Sequence, residues 1–265
     1  MDELKEIGPH LEELRKRIIR IVVAVGIITA FILSFHVSAF DYNGVTLYYP
    51  RPDPINNIAS QVMVTMKGQL LPETVQLIQT APGQAFFAQF YVGALLGIVI
   101  GIPVIVKEFV GFLSPALNKK EVQIIRSITL PALGLFIAGC VFSYFFITPY
   151  MLNFLYQYGQ SIKLLTFLNV VDFVTFVLQF LLAFGISFQL PLIMYVVSAS
   201  GLTDAKFWRK NIRYAIIIMV VLGAVITPDG SGITMWFVAG PMIALYLIGL
   251  ILVERQGKQI ATLKS

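Results

Sequence analysis

The chain has 265 residues, of which 57% are hydrophobic and only 12% are charged, and its formal net charge at pH 7 is +5. Soluble domains carry about 25% charged residues, so this composition excludes an ordinary soluble domain. Uncharged apolar runs of roughly 18 residues or more indicate membrane-spanning helices, not the alternating pattern of a membrane β-barrel. The sequence therefore predicts an all-α membrane protein.

Six apolar runs predict six transmembrane helices in one membrane domain that covers residues 1–265. In chain order, the predicted spans are 18–40, 85–106, 127–149, 173–200, 212–226 and 233–253. The last two are expected to be short and to form a hairpin, since only residues 227–232 separate them. At about 1.5 Å per residue, the fifth would hardly cross a hydrocarbon core of about 30 Å.

The basic residues predict the orientation of these spans. Sixteen of the 19 Lys and Arg residues lie on one side of the predicted membrane. They occur in segments 1–20, 107–126, 201–213 and 254–265. Only Arg51, Lys67 and Lys163 lie on the other side. Because loops rich in Lys and Arg stay in the cytoplasm, both termini are predicted to be cytoplasmic. The same rule explains the net charge without any nucleic-acid partner.

The loop that follows the first span, roughly residues 41–84, is long and contains five prolines, among them Pro54 and Pro72. Between these prolines, residues Ile55–Leu71 could form an amphipathic helix. Such a helix would lie at the membrane interface, with its apolar side toward the lipid.

The sequence lacks the motifs of most enzymes and carriers. It has no nucleotide-binding Gly-x4-Gly-Lys-Ser/Thr loop and no nucleophile–base arrangement. Its two histidines, His10 and His36, lie toward opposite sides of the membrane at the first span, so they cannot share a metal ion. We therefore expect no catalytic residue, no metal site and no cofactor. The spans contain no Asp, Glu, Lys or Arg away from their ends, whereas ion-coupled carriers usually retain one. A polytopic small-molecule secondary transporter is kept as the alternative function, with an intramembrane enzyme ranked below it.

Two charged clusters on the predicted cytoplasmic side are the remaining candidates for a functional site. The first, residues 10–18, reads His-Leu-Glu-Glu-Leu-Arg-Lys-Arg-Ile and leads into the first span. Glu13 and Arg17 are four residues apart, in the favourable order for an ion pair along a helix. On composition alone, the favoured interpretation of this segment is an ordinary amphipathic helix that leads into the membrane.

The second cluster is the loop 107–121. Its Ser114-Pro115 pair predicts a break followed by a new helix start, which would place Glu121 about one turn into that helix. On residue type alone, a solvated carboxylate that balances the two lysines before it is the favoured interpretation.

Together, the two clusters resemble the signatures of the TatC family of twin-arginine translocase proteins. The matching motifs are His10-Leu-x-Glu-Leu-Arg-x-Arg17 and Phe112-x-x-Pro-Ala-Leu-x-x-x-Glu121. Further matches follow in the same order along the chain: Pro103-Val-Ile, Phe184-Gly-x-x-Phe-x-x-Pro191, Arg209-Lys210 and Pro228-Asp229. Each motif is weak alone, but their colinear order over essentially the whole chain is specific.

The resemblance implies six transmembrane helices with cytoplasmic termini, forming a concave receptor for folded proteins that carry a twin-arginine signal peptide. It also implies single-span partner proteins of the TatA/TatB type, an oligomeric assembly in membrane lipid, and transport driven by the proton gradient without enzymatic activity. The implied location is the cytoplasmic membrane of a prokaryote, or a related organelle membrane, as a multi-pass protein.

The resemblance also assigns roles to individual residues. Glu13 and Glu121 would receive the arginines of the signal, because carboxylates bind the planar guanidinium group through paired hydrogen bonds. Arg15 and Phe112 would shape this site, and Leu117 would form its apolar floor.

Two positions depart from the family pattern. Gln189 stands where many members have a glutamate, so no proton-carrying role transfers to it. Two interpretations are open for Gln189 and Gln179. They could be polar contacts inside the bundle for a signal peptide or a partner helix, or they could form hydrogen bonds between helices. In the outer turn after Asp229, Ile233 replaces a frequent glutamine, and a turn-forming aspartate is an equal interpretation.

Overall fold

The structure, a computed structural model, describes residues 2–42, 45–72, 74–113, 119–164, 166–199, 201–227 and 232–262. Within these ranges it gives the backbone alone for residues 2–10, 42, 109–111, 113, 119–129 and 258–262. The helices are α1 (Asp2–Ser34), α2 (Ile58–Leu70), α3 (Gln84–Leu113), α4 (Lys119–Phe142), α5 (Thr148–Ser161), α6 (Val170–Ser187), α7 (Leu190–Ala199), α8 (Ala205–Lys210), α9 (Ile212–Ile226) and α10 (Ile233–Thr262). The strands are β1 (Phe35–Tyr42), β2 (Val45–Pro52), β3 (Val75–Ile78) and β4 (Thr166–Asn169), and a π-helix, Ser143–Ile147, joins α4 to α5.

Five helical segments among the described residues are long and apolar enough to cross a membrane. They are Leu11–Ser34, Gln84–Glu108, Leu130–Ser161, Val170–Ala199 and Ile233–Gly257. These segments confirm the predicted helical membrane protein. The bounds of α9 agree with the predicted fifth span, but its 15 residues would reach only about 22 Å at 1.5 Å per residue. A sixth crossing therefore stays a prediction.

The first and last helices differ from the prediction. α1 ends at Ser34, so residues 35–40 of the predicted first span are not helical. α10 has 30 residues, so the expectation that the last helix is short was wrong. After the apolar run, the chain continues with Glu254-Arg255-Gln256, which are all good helix formers, and the helix therefore extends past the apolar segment.

Four short strands correct the all-α prediction. β1 and β2 form an antiparallel hairpin in which Phe35 opposes Pro52, and β3 and β4 form a parallel pair. Apolar residues such as Val37 and Phe40 fit a strand as well as a helix, so the apolar run alone did not separate the two. The Asn-Gly pair at positions 43–44 is the one local signal for a hairpin in this stretch of sequence.

By its internal contacts the chain divides into two compact units. One comprises Met1–Asn118 with Tyr156–Leu178, and the other comprises Lys119–Leu155 with Gln179–Ser265. The first unit contains α1, α2, α3 and the four strands, and the second contains α4 and α7 to α10.

In the first unit, α1 packs closely along α3 because small residues face it. Three glycines of α3 face α1 at intervals of four residues: Gly93, Gly97 and Gly101. A Cβ atom at Gly97 would overlap Thr29 Oγ1 and would lie 3.1 Å from the carbonyl oxygen of Val25. Small residues allow two helix backbones to approach in this way within a membrane. The antiparallel pairing brings the N-terminal half of α1 beside the C-terminal end of α3.

Helix α2 is attached to α3 through its N-terminal cap. The buried side chain of Asn57 accepts a hydrogen bond from the backbone N–H of Ser60 and donates to Gln89 Oε1 at 2.9 Å. The structure confirms a helix between the prolines of this loop, within the predicted residues 55–71. Its location at a membrane interface stays a prediction.

In the second unit, α10 packs against α7, α8 and α9. The Tyr246 hydroxyl on α10 donates to the carbonyl oxygen of Trp208 at 2.8 Å, and Arg209 of α8 forms an ion pair with Glu254. Elsewhere in this unit, the Phe142 ring of α4 contacts the ring of Phe184, with centroids 5.7 Å apart.

Candidate functional site

A guanidinium group near the start of the first apolar span joins two carboxylates. Arg17 Nε and Nη2 donate to Glu13 Oε1 at 3.0 and 2.6 Å. The two residues are one helical turn apart on α1, so the structure confirms the predicted ion pair. The Arg17 side chain is 20% exposed and that of Glu13 is 32% exposed, so the pair is partly removed from solvent.

The second carboxylate belongs to Glu108, which lies on α3 and is 91 residues away from Arg17 in sequence. Arg17 Nη1 donates to Glu108 Oε2 at 3.1 Å and to the carbonyl oxygen of Glu108 at 3.3 Å. Arg20 Nη1 donates to the same Oε2 atom at 3.4 Å, but the Arg20 side chain is 64% exposed. The Glu108 side chain is only 10% exposed, so Glu108 is a buried carboxylate held mainly by Arg17.

The ion pair between Arg17 and Glu108 is required by the burial of Glu108. An ionised carboxylate out of water loses several kcal/mol of solvation, and only a closely bonded opposite charge compensates for this loss. Arg17 supplies that charge through the edge of the guanidinium that does not face Glu13. One cation therefore fixes α1 to α3 and orients Glu13 at the same time.

Glu13 retains one oxygen that Arg17 does not use. Both bonds from Arg17 end on Oε1, and within the described part of the chain no donor bonds to Oε2. A carboxylate offers about four lone-pair positions, so Glu13 can accept further donors while it holds Arg17. The preceding residue differs, because Glu12 pairs with Lys16 at 2.8 Å and both of these side chains are exposed.

Two further residues of the predicted site are described near this pair. Arg15 is exposed, and among the described residues its guanidinium has no ion-pair partner. Phe112 is half-buried on α3, one turn beyond Glu108, and therefore lies on the same helix face as that carboxylate.

The remaining residues of the predicted site lie outside what the structure describes. Leu117 and Asp229 are not among the described residues, and Glu121 lies in the first turn of α4 with a side chain outside the described set. A joint site formed by Glu13 and Glu121 therefore stays a prediction.

The two predicted intramembrane glutamines lie in different surroundings. Gln189 is partly buried, and its Nε2 donates to the carbonyl oxygen of Ala132 at 3.2 Å and to that of Gly185 at 3.4 Å. These bonds favour the interpretation of Gln189 as a hydrogen-bonded link to α4. Gln179, in contrast, is exposed on α6.

Sequence reasoning missed Glu108 because it treated Lys107-Glu108 as the start of a polar loop. In the structure α3 continues to Leu113, so the carboxylate is still within the helix. A usable signal was present, since the apolar residues Phe109 and Val110 follow the glutamate directly. The charged pair Lys107-Glu108 stands between apolar segments on both sides, which indicates that the helix continues past it and that one of its charges is buried and needs a partner.

The described site can bind a cation through hydrogen bonds to carboxylate oxygens. Among the described residues, no group of three or more His, Cys, Asp or Glu side chains is placed to hold a metal ion. The cation that the site already holds, Arg17, is a guanidinium bonded through its planar edges.

The class of protein follows from these features. The described residues include several apolar helical segments long enough to cross a membrane, and a buried ion pair joins α1 to α3 at the end of two of them. The chain is a multi-pass helical membrane protein. The model of the family "Sec-independent protein translocase protein (TatC)" matches residues 9–241, and the chain belongs to this family. It is therefore a component of a Sec-independent, or twin-arginine, protein translocase.

Relatives from three kinds of organism support this assignment. The TatC protein of the archaeon Cenarchaeum symbiosum is 57% identical over 254 residues, which is 96% of each chain. The TatC protein of Aquifex aeolicus is 32% identical over 247 residues, or 92% of each chain. The chloroplastic TATC protein of Arabidopsis thaliana is 29% identical over 257 residues, covering 97% of this chain and 68% of the relative.

The fold is also similar to solved structures. A crystal structure of the twin arginine translocase receptor TatC aligns with a TM-score of 0.74 at 28% sequence identity. The alignment covers 92% of this chain and 98% of the crystallised one. A second crystal structure of that receptor, in DDM, aligns with a TM-score of 0.75 at 29% identity.

Proposed function

We propose that this chain recognises paired-arginine signal peptides of folded precursor proteins and assembles the translocation site. The observation that supports this best is the contact between Arg17 and Glu13. The carboxylate at which a signal arginine would bind already accepts a guanidinium group, and Arg17 leaves its second oxygen unused. The solved relatives are described as receptors, which agrees with this role.

In this proposal Glu13 binds one arginine of the signal and Glu121 binds the other. Arginine is preferred to lysine because its planar group makes two parallel hydrogen bonds to one carboxylate, and lysine binds as a point charge. The partial burial of Glu13 strengthens these bonds relative to bonds in bulk water. Arg15, Phe112 and Leu117 shape the pocket around the two carboxylates.

The proposed topology has six transmembrane helices with α9 as the fifth, cytoplasmic termini and a concave bundle that forms a single domain. The short α9 is compatible with a locally thinned bilayer or with a partner helix packed against it. In this proposal the chain joins single-span partners of the TatA/TatB type in an oligomeric assembly, and the transmembrane proton gradient drives transport. The location is the cytoplasmic membrane of a prokaryote or a related organelle membrane.

A small-molecule secondary transporter is disfavoured as the alternative function. Such a carrier needs polar groups along one path through its spans, together with broken helices at the midplane. Gln189, the best polar candidate, already donates to backbone oxygens within its own unit. Membership of a protein translocase family points in the same direction.

A crosslinking experiment tests the proposed function. A precursor with a photoreactive residue beside its Arg-Arg or Lys-Lys pair is added to membranes that contain the full chain. We expect the Arg-Arg precursor to crosslink strongly to the wild type and weakly to Glu13→Gln and Glu121→Gln, whereas the exposed control Glu12→Gln behaves as the wild type. Equal crosslinking of both precursors to all four proteins would rule out arginine recognition at these carboxylates.

A further inference from the structure

We propose that Glu108 is a positioning residue of the arginine site, and that it retains Arg17 when Glu13 binds an incoming arginine. This inference rests on the proposed function. Glu108 touches neither Glu13 nor the incoming arginine in this proposal, and it acts through Arg17.

The geometry of Arg17 allows Glu13 to release Arg17 and bind an incoming arginine instead. Its Nε and Nη2 atoms bond to Glu13, whereas Nη1 bonds to the carboxylate and the carbonyl oxygen of Glu108. The two carboxylates therefore hold different edges of one guanidinium group. When an incoming arginine draws Glu13 away, Arg17 keeps both of its bonds to Glu108.

The order of burial shows why Arg17 needs a second carboxylate. The side chains become more exposed from Glu108 through Arg17 to Glu13. If Glu13 were its only partner, Arg17 would be left as an unpaired and mostly buried cation once the signal arginine had bound. An unpaired buried charge is strongly unfavourable, so Arg17 would compete with the signal for Glu13. Glu108 removes this competition.

Glu108 can compensate the whole charge of Arg17, because its bond from Arg20 is easily given up. In the present arrangement Glu108 Oε2 accepts from both Arg17 and Arg20. The Arg20 bond is the longer of the two, and its side chain is mostly exposed, so Arg20 can turn into solvent at little loss. Glu108 can then neutralise Arg17 fully.

The inference is tested by peptide binding to the full chain in detergent micelles. A fluorescent signal peptide with Arg-Arg and its Lys-Lys counterpart are titrated against the wild type, Glu108→Gln and the matched control Glu12→Gln. We expect Glu108→Gln to weaken Arg-Arg binding about tenfold, because Arg17 then holds Glu13 alone. The control should bind both peptides as the wild type does.

A double variant separates this role from a purely structural one. Arg17→Gln removes the competing cation together with the bonds that orient Glu13, so it is compared with the double variant Arg17→Gln/Glu108→Gln. Because Glu108 acts through Arg17, these two variants should bind Arg-Arg equally, to within about threefold. If Glu108 were only structural, adding Glu108→Gln would weaken Arg-Arg binding in the Arg17→Gln background as well. The melting temperature identifies folded variants, and if Glu108→Gln alone does not fold, the comparison of Arg17→Gln with the double variant gives the same test. A folded double variant that binds Arg-Arg tenfold more weakly than Arg17→Gln overturns the inference.

The outcomes also separate this inference from the proposed function. If the wild type binds Arg-Arg and Lys-Lys equally, or if Glu13→Gln binds as the wild type does, the proposed function fails and the inference fails with it. If Glu13→Gln loses Arg-Arg binding while Glu108→Gln retains it, only the role of Glu108 is contradicted.

Discussion

Gly97 of α3 lies so close to Thr29 of α1 that any side chain at position 97 would overlap the Thr29 hydroxyl. The nearby carbonyl oxygen of Val25 belongs to the backbone and cannot rotate away as a side chain can. This contact sets the distance between the two helices. It therefore also sets the position of Glu108 relative to Arg17.

Gly97→Ala should destabilise the protein because α1 must move away from α3. Overpacking of a tightly packed site costs about 1–3 kcal/mol, so we expect a clear fall in the melting temperature of the purified protein in micelles. Gly26→Ala on α1 is the matched control, since no atom lies within 4 Å of a Cβ there. Alanine is the better helix former, so the control should melt at the same or a higher temperature. An unchanged melting temperature for Gly97→Ala would contradict the close packing.

Glu108→Ala should destabilise the protein because it leaves Arg17 without its buried partner. Removal of one member of a buried ion pair typically costs about 3–5 kcal/mol. We expect the melting temperature of Glu108→Ala to fall well below that of Glu12→Ala, which removes an exposed pair with Lys16. If the two variants melt at the same temperature, Glu108 is not held as the structure shows.

Gln189→Leu should weaken the attachment of this residue to α4. It removes the bond from Nε2 to the carbonyl oxygen of Ala132, and such bonds between membrane helices contribute about 0.6–2 kcal/mol. The matched control is Gln179→Leu, because Gln179 is exposed and its replacement should leave the melting temperature unchanged. A larger loss for Gln179→Leu than for Gln189→Leu would reverse the interpretation of the two residues.

The turn that follows β2 should weaken in acid. The backbone N–H of Asn56 donates to Asp53 Oδ1 at 2.9 Å, and this bond, with a second from Ile55, holds the pKa of the Asp53 carboxyl below its usual value. A carboxyl with a lowered pKa in the folded state stabilises at higher pH, and this contribution is lost as the pH falls through that pKa.

Amide hydrogen exchange of residues 55–57, corrected for its intrinsic pH dependence, measures this effect. Protection in the wild type should decrease below the pH range in which an aspartate normally titrates. Asp53→Asn keeps an acceptor oxygen but cannot titrate, so its protection should not depend on pH. Asp41→Asn on β1 should respond as the wild type does. The same pH response in Asp53→Asn as in the wild type would assign the effect to another group.

The features that sequence analysis predicted correctly are local ones. Uninterrupted apolar runs indicated the long helices, and the bounds of α9 were predicted from composition alone. The bond between Glu13 and Arg17 was predictable because it depends only on helical spacing. The strand β1 was missed because an apolar run has no period that separates a strand from a helix over so few residues.

The bond between Arg17 and Glu108 was beyond sequence reasoning for a different reason. It joins residues that are far apart in the chain, and it depends on the register in which α1 packs along α3. Glycines at positions 93, 97 and 101 indicate a close helix contact, but they do not indicate which helix makes it. Only the three-dimensional structure supplies that partner.

The central claim is that Glu13 recognises arginine, and the affinity ratio of two signal peptides tests it most directly. Arg-Arg and Lys-Lys peptides are titrated against the wild type and Glu13→Gln in micelles, with Glu12→Gln as the control. A charge-assisted hydrogen bond contributes about 1.5–3 kcal/mol, which corresponds to an Arg-Arg preference of about tenfold or more. We expect this preference in the wild type and in the control, and its loss in Glu13→Gln. A Glu13→Gln variant that keeps the full preference would contradict the account.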